Sequence, residues 1–312
     1  MHIVSRKAAV LPWVAALAVM LLWASSFVVI RDVGVHFSAG SMALLRLFVA
    51  VVALGVGAVF YRPAWPRTAT AWGWILLWGV SWFGVYTVVL NLAERHIDAG
   101  TAAMLVNIAP LLVALASGLL LGEGLPARLL VGIGVSMAGV VVITLATTTG
   151  RLTVPGVVLS VLAAVLYAGS VLLQKWRLTG GDSYAVTFVG IAGAMVACTP
   201  FSGHLAGDLS TASGASVLAV VYLGLFPTAL AFNFWAYALK NIPAGVLSSS
   251  SLVVPALVVL LSWLALGEVP PWLAVLGGAL CLTGAGFSIV PHIRAALRRP
   301  EPVPEPAESL TR

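Results

Sequence analysis

Residues 99–123, AGTAAMLVNIAPLLVALASGLLLGE, return in altered form as residues 244–268, AGVLSSSSLVVPALVVLLSWLALGE. The two stretches are separated by 145 residues and share an initial Ala-Gly, a central proline and a final Leu-Gly-Glu. Similarity at a fixed offset is the sequence signature of a duplicated structural unit. The repeat therefore predicts that one structural unit occurs twice in this chain.

The composition places the chain among integral membrane proteins. Hydrophobic residues make up 61% of its 312 residues and charged residues only 8%, and the mean hydropathy is +1.08, far from the soluble average. Apolar runs of about 20 residues are long enough to cross a hydrocarbon core of about 30 Å as helices. These runs predict ten spans, at residues 11–30, 39–61, 69–92, 99–121, 127–146, 154–174, 183–201, 215–239, 244–266 and 272–291.

The runs are continuous and apolar on all sides, whereas membrane strands would alternate apolar and polar residues. The expected fold class is therefore an all-α integral membrane protein. Five spans per half is an odd number, so the second half must enter the membrane from the opposite side, which predicts two inverted five-helix repeats. We place the repeats at residues 1–147 and 148–292, and we expect the tail at 293–312, rich in Pro and Glu, to be disordered.

The distribution of basic residues supports this topology, because cytoplasmic loops carry an excess of Lys and Arg. With the amino terminus inside, twelve Lys and Arg residues fall in cytoplasmic segments and three, Arg31, Arg95 and Arg151, fall outside. Both termini are thus predicted to be cytoplasmic, and the net charge of +6 indicates attraction to anionic lipid rather than to nucleic acid. The first apolar run resembles a signal peptide, but it is long enough to span and lacks a convincing cleavage site, so an uncleaved helix is expected.

The sequence contains no arrangement typical of an enzyme or a metal site. The five histidines lie near termini or loops without a helical pair at metal-ligand spacing, and no Walker phosphate-binding loop is present. Cys198 and Cys281 fall inside predicted spans, which favours buried reduced thiols over a disulfide or a metal site. We therefore predict no catalytic residue, no metal and no cofactor.

Pro110 and Pro255 lie near the middle of the fourth and ninth predicted spans. Proline lacks the N–H donor, and its ring clashes with the preceding turn, so it interrupts the helical hydrogen-bond ladder. The two prolines are either matched hinges or static kinks, which membrane helices often tolerate. The duplication leaves these two interpretations balanced.

Polar and aromatic residues inside the spans outline a candidate cavity, because polar groups in a bilayer must face protein or water. Trp78, Trp82 and Tyr86 follow at steps of four along the third span, and polar residues on the sixth and eighth spans share a helix face. Alternatively, the serines and asparagines form interhelical hydrogen bonds and the aromatics only pack. The candidate lining residues are Trp23, Ser26, Trp78, Trp82, Tyr86, Asn107, Tyr167, Ser170, Asn233, Tyr237 and Ser248.

Arg46 is the ionised residue that falls well within a predicted span, where an arginine costs about 2.5 to 3.5 kcal/mol on insertion scales. It is interpreted either as a contact for a substrate carboxylate or a gate partner, or as an anchor hydrogen-bonded to carbonyl groups. Glu123 and Glu268 end the repeated motif at opposite membrane faces, and we expect them to cap the next helix or to gate the two mouths. No acidic residue is placed at mid-membrane depth, which argues against export of cationic drugs driven by a buried titrating carboxylate.

Several motifs together resemble those of the drug/metabolite transporter superfamily and, within it, the ten-helix EamA branch. They are Trp23-Ala24-Ser25-Ser26-Phe27 in the first span, Leu45-Arg46 in the second, and a proline followed by Leu-Gly-Glu in the fourth and ninth. The resemblance covers the chain to about Pro291. It implies export of amino acids, metabolites or drugs, and it favours a structural role for Arg46, because an arginine stands here across many substrate classes.

The sequence thus predicts a secondary transporter that exports amino acids or related small neutral or zwitterionic metabolites by alternating access. An exporter of drug-like compounds and a non-transporting membrane scaffold are the alternatives. The expected partners are a small-molecule substrate and the lipid bilayer, with coupling to a proton or another ion left open and no nucleic acid. The expected location is the bacterial plasma (inner) membrane.

Overall fold

The computed structural model describes residues 6–34, 36–94, 96–97, 99–147, 153–267 and 269–298. These residues form helices joined by turns and short extended linkers, and no strand occurs among them. The all-α class predicted from the sequence is therefore confirmed. Glu268 and the tail at 299–312 lie outside the described residues, so the expectations for them stay predictions.

Fifteen α-helices follow one another in the described part of the chain, and some are separated only by a few residues of π- or 3₁₀-helix. They are α1 (Arg6–Val33), α2 (Ala39–Tyr61), α3 (Ala69–Gly79), α4 (Tyr86–Glu94), α5 (Ala99–Val106), α6 (Ala109–Leu120), α7 (Ala127–Thr147), α8 (Val154–Leu173), α9 (Ser183–Ala197), α10 (Ser202–Thr211), α11 (Gly214–Leu223), α12 (Ala231–Asn241), α13 (Ala244–Ser250), α14 (Val254–Leu266) and α15 (Trp272–Arg298).

Eight helical stretches are long and apolar enough to cross a membrane, and they coincide with eight of the ten predicted spans. In the seventh predicted span, Ser183–Ala197 bends by 49° into Thr199–Thr211, and the pair would make a ninth crossing if it counts as one. The fourth predicted span is broken between α5 and α6, which leaves Met104–Leu120 as a shorter apolar helix. The count of ten spans stays a prediction, and the lower count results from the bend in the seventh predicted span and the break in the fourth.

Large apolar side chains cover the outside of the helices. Phe60 is 82% exposed, and Leu120 and Val154 are each 77% exposed. Soluble monomers rarely expose apolar patches of more than a few hundred Å², whereas helices in a bilayer present such side chains to lipid. The protein is therefore a multi-pass membrane protein.

Two π-helical segments stand at equivalent places in the two halves. Val80–Val85 joins α3 to α4, and Gly224–Leu230 joins α11 to α12. The second segment begins one residue before the position that lies 145 residues after Val80, and it ends 145 residues after Val85. Short π-helical segments are rare in proteins overall but occur often at functional sites. Their recurrence therefore makes both stretches candidates for a functional role.

The breaks before the two prolines also recur at the repeat spacing. Helix α5 stops before a turn at Asn107, and α13 stops before a 3₁₀ segment at Ser251–Val253. Pro110 and Pro255 then occupy the first turn of α6 and α14, where the missing N–H is not needed. Each proline thus begins a new half-helix instead of bending a continuous one.

Helices α7 and α15 pack against each other through glycines in a reciprocal pattern. A Cβ on Gly132 would lie 2.6 Å from the carbonyl oxygen of Gly284, and a Cβ on Gly277 would lie 2.6 Å from that of Gly139. Gly277 is Gly132 displaced by 145 residues, and Gly284 is Gly139 displaced by the same number. The contacts advance along α7 as they retreat along α15, so the two helices run antiparallel.

The centre of this contact is formed by Ser136 and Cys281, which are themselves 145 residues apart. Ser136 Oγ donates a hydrogen bond to the Cys281 carbonyl at 3.0 Å, and Cys281 Sγ donates to the Ser136 carbonyl at 3.4 Å. Reciprocal contact between equivalent residues is the mark of a two-fold axis. Cys281 and Cys198 are both free and buried, as expected from the sequence.

Replacing Gly132 with alanine should lower the thermal stability of the protein, because the new Cβ would meet the backbone of α15. Overpacking of this kind costs about 1–3 kcal/mol. Gly134→Ala is the matched control, since a Cβ on Gly134 meets no heavy atom within 4 Å, and it should leave the melting temperature unchanged or slightly raised. Thermal denaturation in detergent measures both, and equal melting temperatures for the two variants would contradict the packing described here.

Candidate functional site

Eight aromatic side chains meet in the core of the bundle, and we call them the aromatic box. They come from α1, from the continuous stretch of α3, π-helix and α4, from α8 and from α12. The members are Trp23, Trp78, Trp82, Phe83, Tyr86, Tyr167, Phe232 and Trp235.

Trp82 lies at the centre of the box and is 3% exposed. Its ring centroid is 5.9 Å from that of Trp78, 5.4 Å from Tyr167, 5.3 Å from Phe232 and 6.0 Å from Trp235. All four contacts are edge to face, the geometry that aromatic quadrupoles prefer. The box is therefore a specific aromatic cluster, and all of its members except Trp23 and Tyr86, which are partly exposed, are buried.

The box draws its rings from both halves of the chain. Trp23, from the first half, lies 5.1 Å from Trp235 and 5.4 Å from Phe232 of the second half. Tyr86 lies 6.2 Å from Tyr167 across the same boundary. A site at the interface of two repeats is the usual position for a transporter substrate.

The π-helical segment after α3 presents two neighbouring rings to the box. Trp82 and Phe83 are adjacent in sequence, and their rings are nearly parallel at 16° with centroids 6.3 Å apart. Both are buried, as is Trp78 four residues earlier. This one span therefore contributes three buried rings to the box.

Five of the predicted lining residues, all aromatic, are members of the box. Two predicted serines lie one helical turn from members: Ser26 Oγ donates to the Trp23 carbonyl at 2.7 Å, and Ser170 Oγ donates to Ser81 Oγ at 3.4 Å. Both bonds fit the alternative interpretation of the serines as structural hydrogen-bond donors. The contact of either residue with substrate stays a prediction.

Asn233 and Tyr237 lie on the far side of α12 from the box. Asn233 Nδ2 donates to the carbonyl of Ala229 on its own helical stretch at 2.8 Å. Trp235 faces the box, and residues two apart on a helix of 3.6 residues per turn point about 200° apart, so these two side chains point away from it.

Asn107 and Ser248 are placed beside the two helix breaks and outside the box. Asn107 is half-buried in the turn between α5 and α6, and Ser248 is fully buried on α13. Their contact with substrate, like that of Asn233 and Tyr237, stays a prediction.

The predicted lining set lacked three rings of the box. It also lacked Gln174, although Gln174 follows Tyr167 and Ser170 on the polar face predicted for the sixth span. Phe83, Phe232 and Trp235 are members, and Gln174 Oε1 accepts a hydrogen bond from Trp235 Nε1 at 3.1 Å. The spacing of Phe232 and Trp235, three apart on one helix face, was the available signal. The residues predicted on this helix, Asn233 and Tyr237, lie on the opposite face.

Arg46 is held by the second half of the chain. Its Nε donates to Thr228 Oγ1, which lies in the π-helical segment between α11 and α12 and itself donates to the Leu223 carbonyl at 2.8 Å. A Cβ on Gly224 would lie 2.7 Å from the Arg46 carbonyl oxygen, so the backbones approach closely at this point. These contacts favour the anchor interpretation of Arg46 over direct contact with a substrate carboxylate.

Glu123 and Lys175 form an ion pair between the two halves, with Lys175 Nζ 3.6 Å from Glu123 Oε1. Lys175 Nζ also donates to the carbonyls of Leu239 at 2.7 Å and Ile242 at 2.9 Å, at the end of α12. Glu123 Oε2 accepts from the backbone N–H of Gly245 at 3.4 Å, at the start of α13. We call this set of contacts the latch.

The latch places each charge where a helix end favours it. A cation stabilises the carbonyl end of a helix, and an anion stabilises its N–H end. The side chains of Lys175 and Glu123 are 20% and 14% exposed, so solvent screens the pair only in part. Beside the latch lies a cavity of about 20 Å³, lined by Glu123 and Gly245 of the latch and by Ser117, Val246 and His292 among others, with room for about one water molecule.

Taken together, the fold and the site define a class of protein: a multi-pass helical membrane protein with an uncharged aromatic site enclosed between its halves. The EamA-like transporter family matches the chain twice, at residues 11–145 and again at residues 154–290. The chain therefore belongs to the EamA-like transporter family, as the sequence motifs implied. Each match covers one of the two repeats.

Related proteins match over most of the chain. It is 34% identical over 274 residues to a probable terminal-alkyne amino-acid exporter of Streptantibioticus cattleyicolor, covering 87% of this chain and 91% of that protein. It is 31% identical to the uncharacterized transporter YdfC of Bacillus subtilis, covering 86% and 87%. A probable amino-acid metabolite efflux pump of Salmonella typhimurium is 24% identical, with coverage of 88% and 93%. One solved crystal structure has the same fold, with a TM-score of 0.77, 23% identity and coverage of 93% and 99%.

Neutralising either charge of the latch should expose the cavity beside it to solvent. We expect Glu123→Gln and Lys175→Gln each to increase the labelling rate of a cysteine placed at Val246 about fivefold or more, because removing one partner of a partly buried pair costs on the order of 1–3 kcal/mol. Thiol labelling in detergent measures this rate without regard to membrane side. Lys240→Gln is the matched control, since Lys240 is exposed and, among the described residues, bonds to the Gly181 carbonyl alone. A similar increase in that variant would argue against a closing role for the latch.

Proposed function

We propose that this protein exports neutral or zwitterionic amino acids, or closely related small metabolites, and that the substrate binds at the aromatic box. The observation that carries the proposal is the position of the box, between the two halves and with every member uncharged. Ring faces and buried N–H and O–H groups suit a small molecule whose charges balance, whereas a phosphate ester or nucleotide sugar would need a cluster of cations.

The relatives support this substrate class. Two of the similar proteins, from Streptantibioticus cattleyicolor and Salmonella typhimurium, are named for the export of amino acids or their metabolites. The first shares about a third of its residues with this chain over nearly the full length of both. Likeness at this level supports transfer of the class of cargo and leaves the individual cargo to experiment.

The same features support transport by alternating access. The broken helices before Pro110 and Pro255 provide points at which half-helices can tilt without disturbing a continuous hydrogen-bond ladder. The latch closes one end of the path, and its opening would admit substrate from that side. We therefore propose the two prolines as hinges and Glu123 as a gate residue, with Arg46 as a structural anchor.

We further propose that the chain crosses the membrane ten times and that its repeats are inverted. Support comes from the antiparallel, reciprocal contact of α7 with α15, because a two-fold axis perpendicular to these helices turns one membrane face into the other. Repeats related by an axis along the membrane normal would instead place equivalent helices parallel. With the excess of Lys and Arg inside, both termini and the latch face the cytoplasm of a bacterial plasma membrane.

Purified protein in liposomes should move neutral amino acids across the membrane. Trp82→Ala should reduce the initial rate about tenfold or more, since it removes the ring that contacts five other members of the box. The matched control is Trp263→Ala, because Trp263 is 49% exposed on the outer face of α14 and should leave the rate unchanged. Absence of flux with the wild-type protein across a panel of neutral amino acids would refute the proposal, and flux of drug-like compounds alone would support the alternative cargo.

Single cysteines at Pro126 and Pro271 should react with an impermeant thiol reagent from opposite sides of intact cells. The two prolines are exposed, 145 residues apart and placed just before α7 and α15. Pro126→Cys should be protected from external reagent until the cells are permeabilised, and Pro271→Cys should react at once. Labelling of both from the same side would rule out inversion.

A further inference from the structure

Two hydrogen-bond donors on the walls of the aromatic box have no partner. Trp78 Nε1 and Gln174 Nε2 are buried polar atoms without a hydrogen bond among the described residues, and their side chains are 0% and 2% exposed. A buried donor left unpaired is expensive, and native structures contain few of them. An unpaired donor in a transporter core therefore needs an explanation. A bound ligand would provide one by supplying the missing acceptor.

The contacts of Gln174 determine which end of its amide is free. Trp235 Nε1 lies 3.1 Å from Gln174 Oε1, and an indole nitrogen can only donate. The amide must therefore present its oxygen to Trp235, and its NH₂ group is the part that remains unpaired. Trp235 thus orients Gln174 as a donor.

Both donors belong to residues connected to the Trp82 ring, Trp78 by direct ring contact and Gln174 through its hydrogen bond to Trp235. The Trp78 ring is perpendicular to the Trp82 ring at 5.9 Å, and the Trp235 ring that holds Gln174 is perpendicular to it at 6.0 Å. Tyr167, whose ring centroid is 5.4 Å from that of Trp82, adds a buried hydroxyl that lies beside Ser251 without a hydrogen bond of normal geometry. Three buried donor groups, on Trp78, Gln174 and Tyr167, thus belong to the box or adjoin it.

The nearby cations are already engaged elsewhere. Lys175, the residue after Gln174, bonds to two carbonyls of the α12–α13 region and to Glu123. Arg46 bonds to Thr228, and the exposed Arg177 lies over the rings of Trp74 and Trp176. A ligand group at Trp78 and Gln174 must therefore be an acceptor that neutral donors can satisfy. A carboxylate meets this requirement, because hydrogen bonds from neutral N–H groups to an ionised acceptor are shorter and stronger than neutral ones.

We propose that Trp78 Nε1 and Gln174 Nε2 form the subsite for the carboxylate of the transported amino acid, while the ring faces of the box receive its ammonium group and side chain. A cation over an aromatic face is attracted by the ring quadrupole, so the ammonium needs no buried acid. This inference rests on the proposed export of amino acids. It adds that the site selects for a carboxylate and rejects amines that lack one.

The test on the wild-type protein is a counterflow assay in liposomes with radiolabelled L-leucine. Unlabelled L-leucine, leucinamide and isoamylamine are compared as competitors; the second lacks the ionised carboxylate, and the third lacks the carboxyl group altogether. We expect the amide and the amine to compete about tenfold or more weakly than leucine, the effect of losing a charge-assisted hydrogen bond. Equal competition by isoamylamine would overturn the carboxylate subsite and leave amino-acid transport standing, whereas absence of counterflow with any neutral amino acid would overturn both.

Two variants test the named residues. Trp78→Phe keeps an aromatic ring and removes the N–H. Gln174→Met, made in a Trp235→Phe background so that no indole donor is orphaned, removes the amide and is compared with Trp235→Phe alone. Each should raise the half-saturation concentration of leucine about tenfold relative to its reference while leaving competition by isoamylamine unchanged.

Ser160→Ala is the matched control for these variants. Ser160 carries a buried hydroxyl that also lacks a partner, but it lies on α8 about two turns from Tyr167 and outside the box. It should leave the half-saturation concentration of leucine unchanged. Size-exclusion profiles establish that each variant is folded. Unaltered leucine affinity in both folded variants would overturn the assignment, as would an equal loss in Ser160→Ala.

Discussion

The hydrogen-bonding needs of the backbone inside a membrane constrain every irregular feature of this structure. Lipid offers no partner for an N–H or C=O group, so non-helical backbone is tolerated only where protein or water covers it. The break before Pro255 meets this need with its own serines: Ser249 Oγ, Ser250 Oγ and Ser251 Oγ donate to the carbonyls three residues earlier. The serine side chains thus supply hydrogen-bond donors to the backbone carbonyls beside the break. The equivalent stretch of the first half, Ala-Met-Leu-Val, lacks such hydroxyls. The break before Pro110 is therefore not stabilised by serine side chains at these positions.

The division of labour between the helices follows from how they pack. Apolar side chains give helices in lipid no hydrophobic reason to associate, so close backbone approach between small residues takes over. Helices α7 and α15 use this device along their length, and they carry no break. Seven of the eight rings of the box lie on helical stretches that contain or adjoin a π-helical segment, and Trp23 lies on the unbroken α1. In the latch, Glu123 and Gly245 come from the two spans with proline breaks, and Lys175 comes from the π-helical segment after α8. The pair packed through glycines is thus unbroken, and most of the helices around the box are irregular.

Part of this arrangement was visible in the sequence, and most of what was not visible depends on contacts between residues that are far apart in the chain. The steps of four from Trp78 to Tyr86 predicted one wall of the site, and the prolines predicted where the helices break. Contacts across the halves were not predictable from local spacing: Trp23 meets Trp235, and Lys175 meets Glu123, only because the fold brings them together. The π-helix at Val80–Val85 contains no proline and gave no signal. Arg46 was recognised as costly in lipid, but its partner Thr228 is 182 residues away.

The π-helical segment Gln174–Leu178 connects the latch to the box. Its first residue, Gln174, is bonded to Trp235 on α12, and its second, Lys175, is bonded to the Leu239 and Ile242 carbonyls at the end of the same helix. Two consecutive residues thus attach this segment to α12, one inside the site and one at its closed end. A displacement of α12 large enough to free Lys175 must also strain the bond that orients the Gln174 amide. Because one helix carries both attachments, the proposed roles of the latch and the box make opening the latch and loosening the polar contacts of a bound substrate parts of a single movement. Such a link would coordinate the proposed gate and site through geometry rather than through titration.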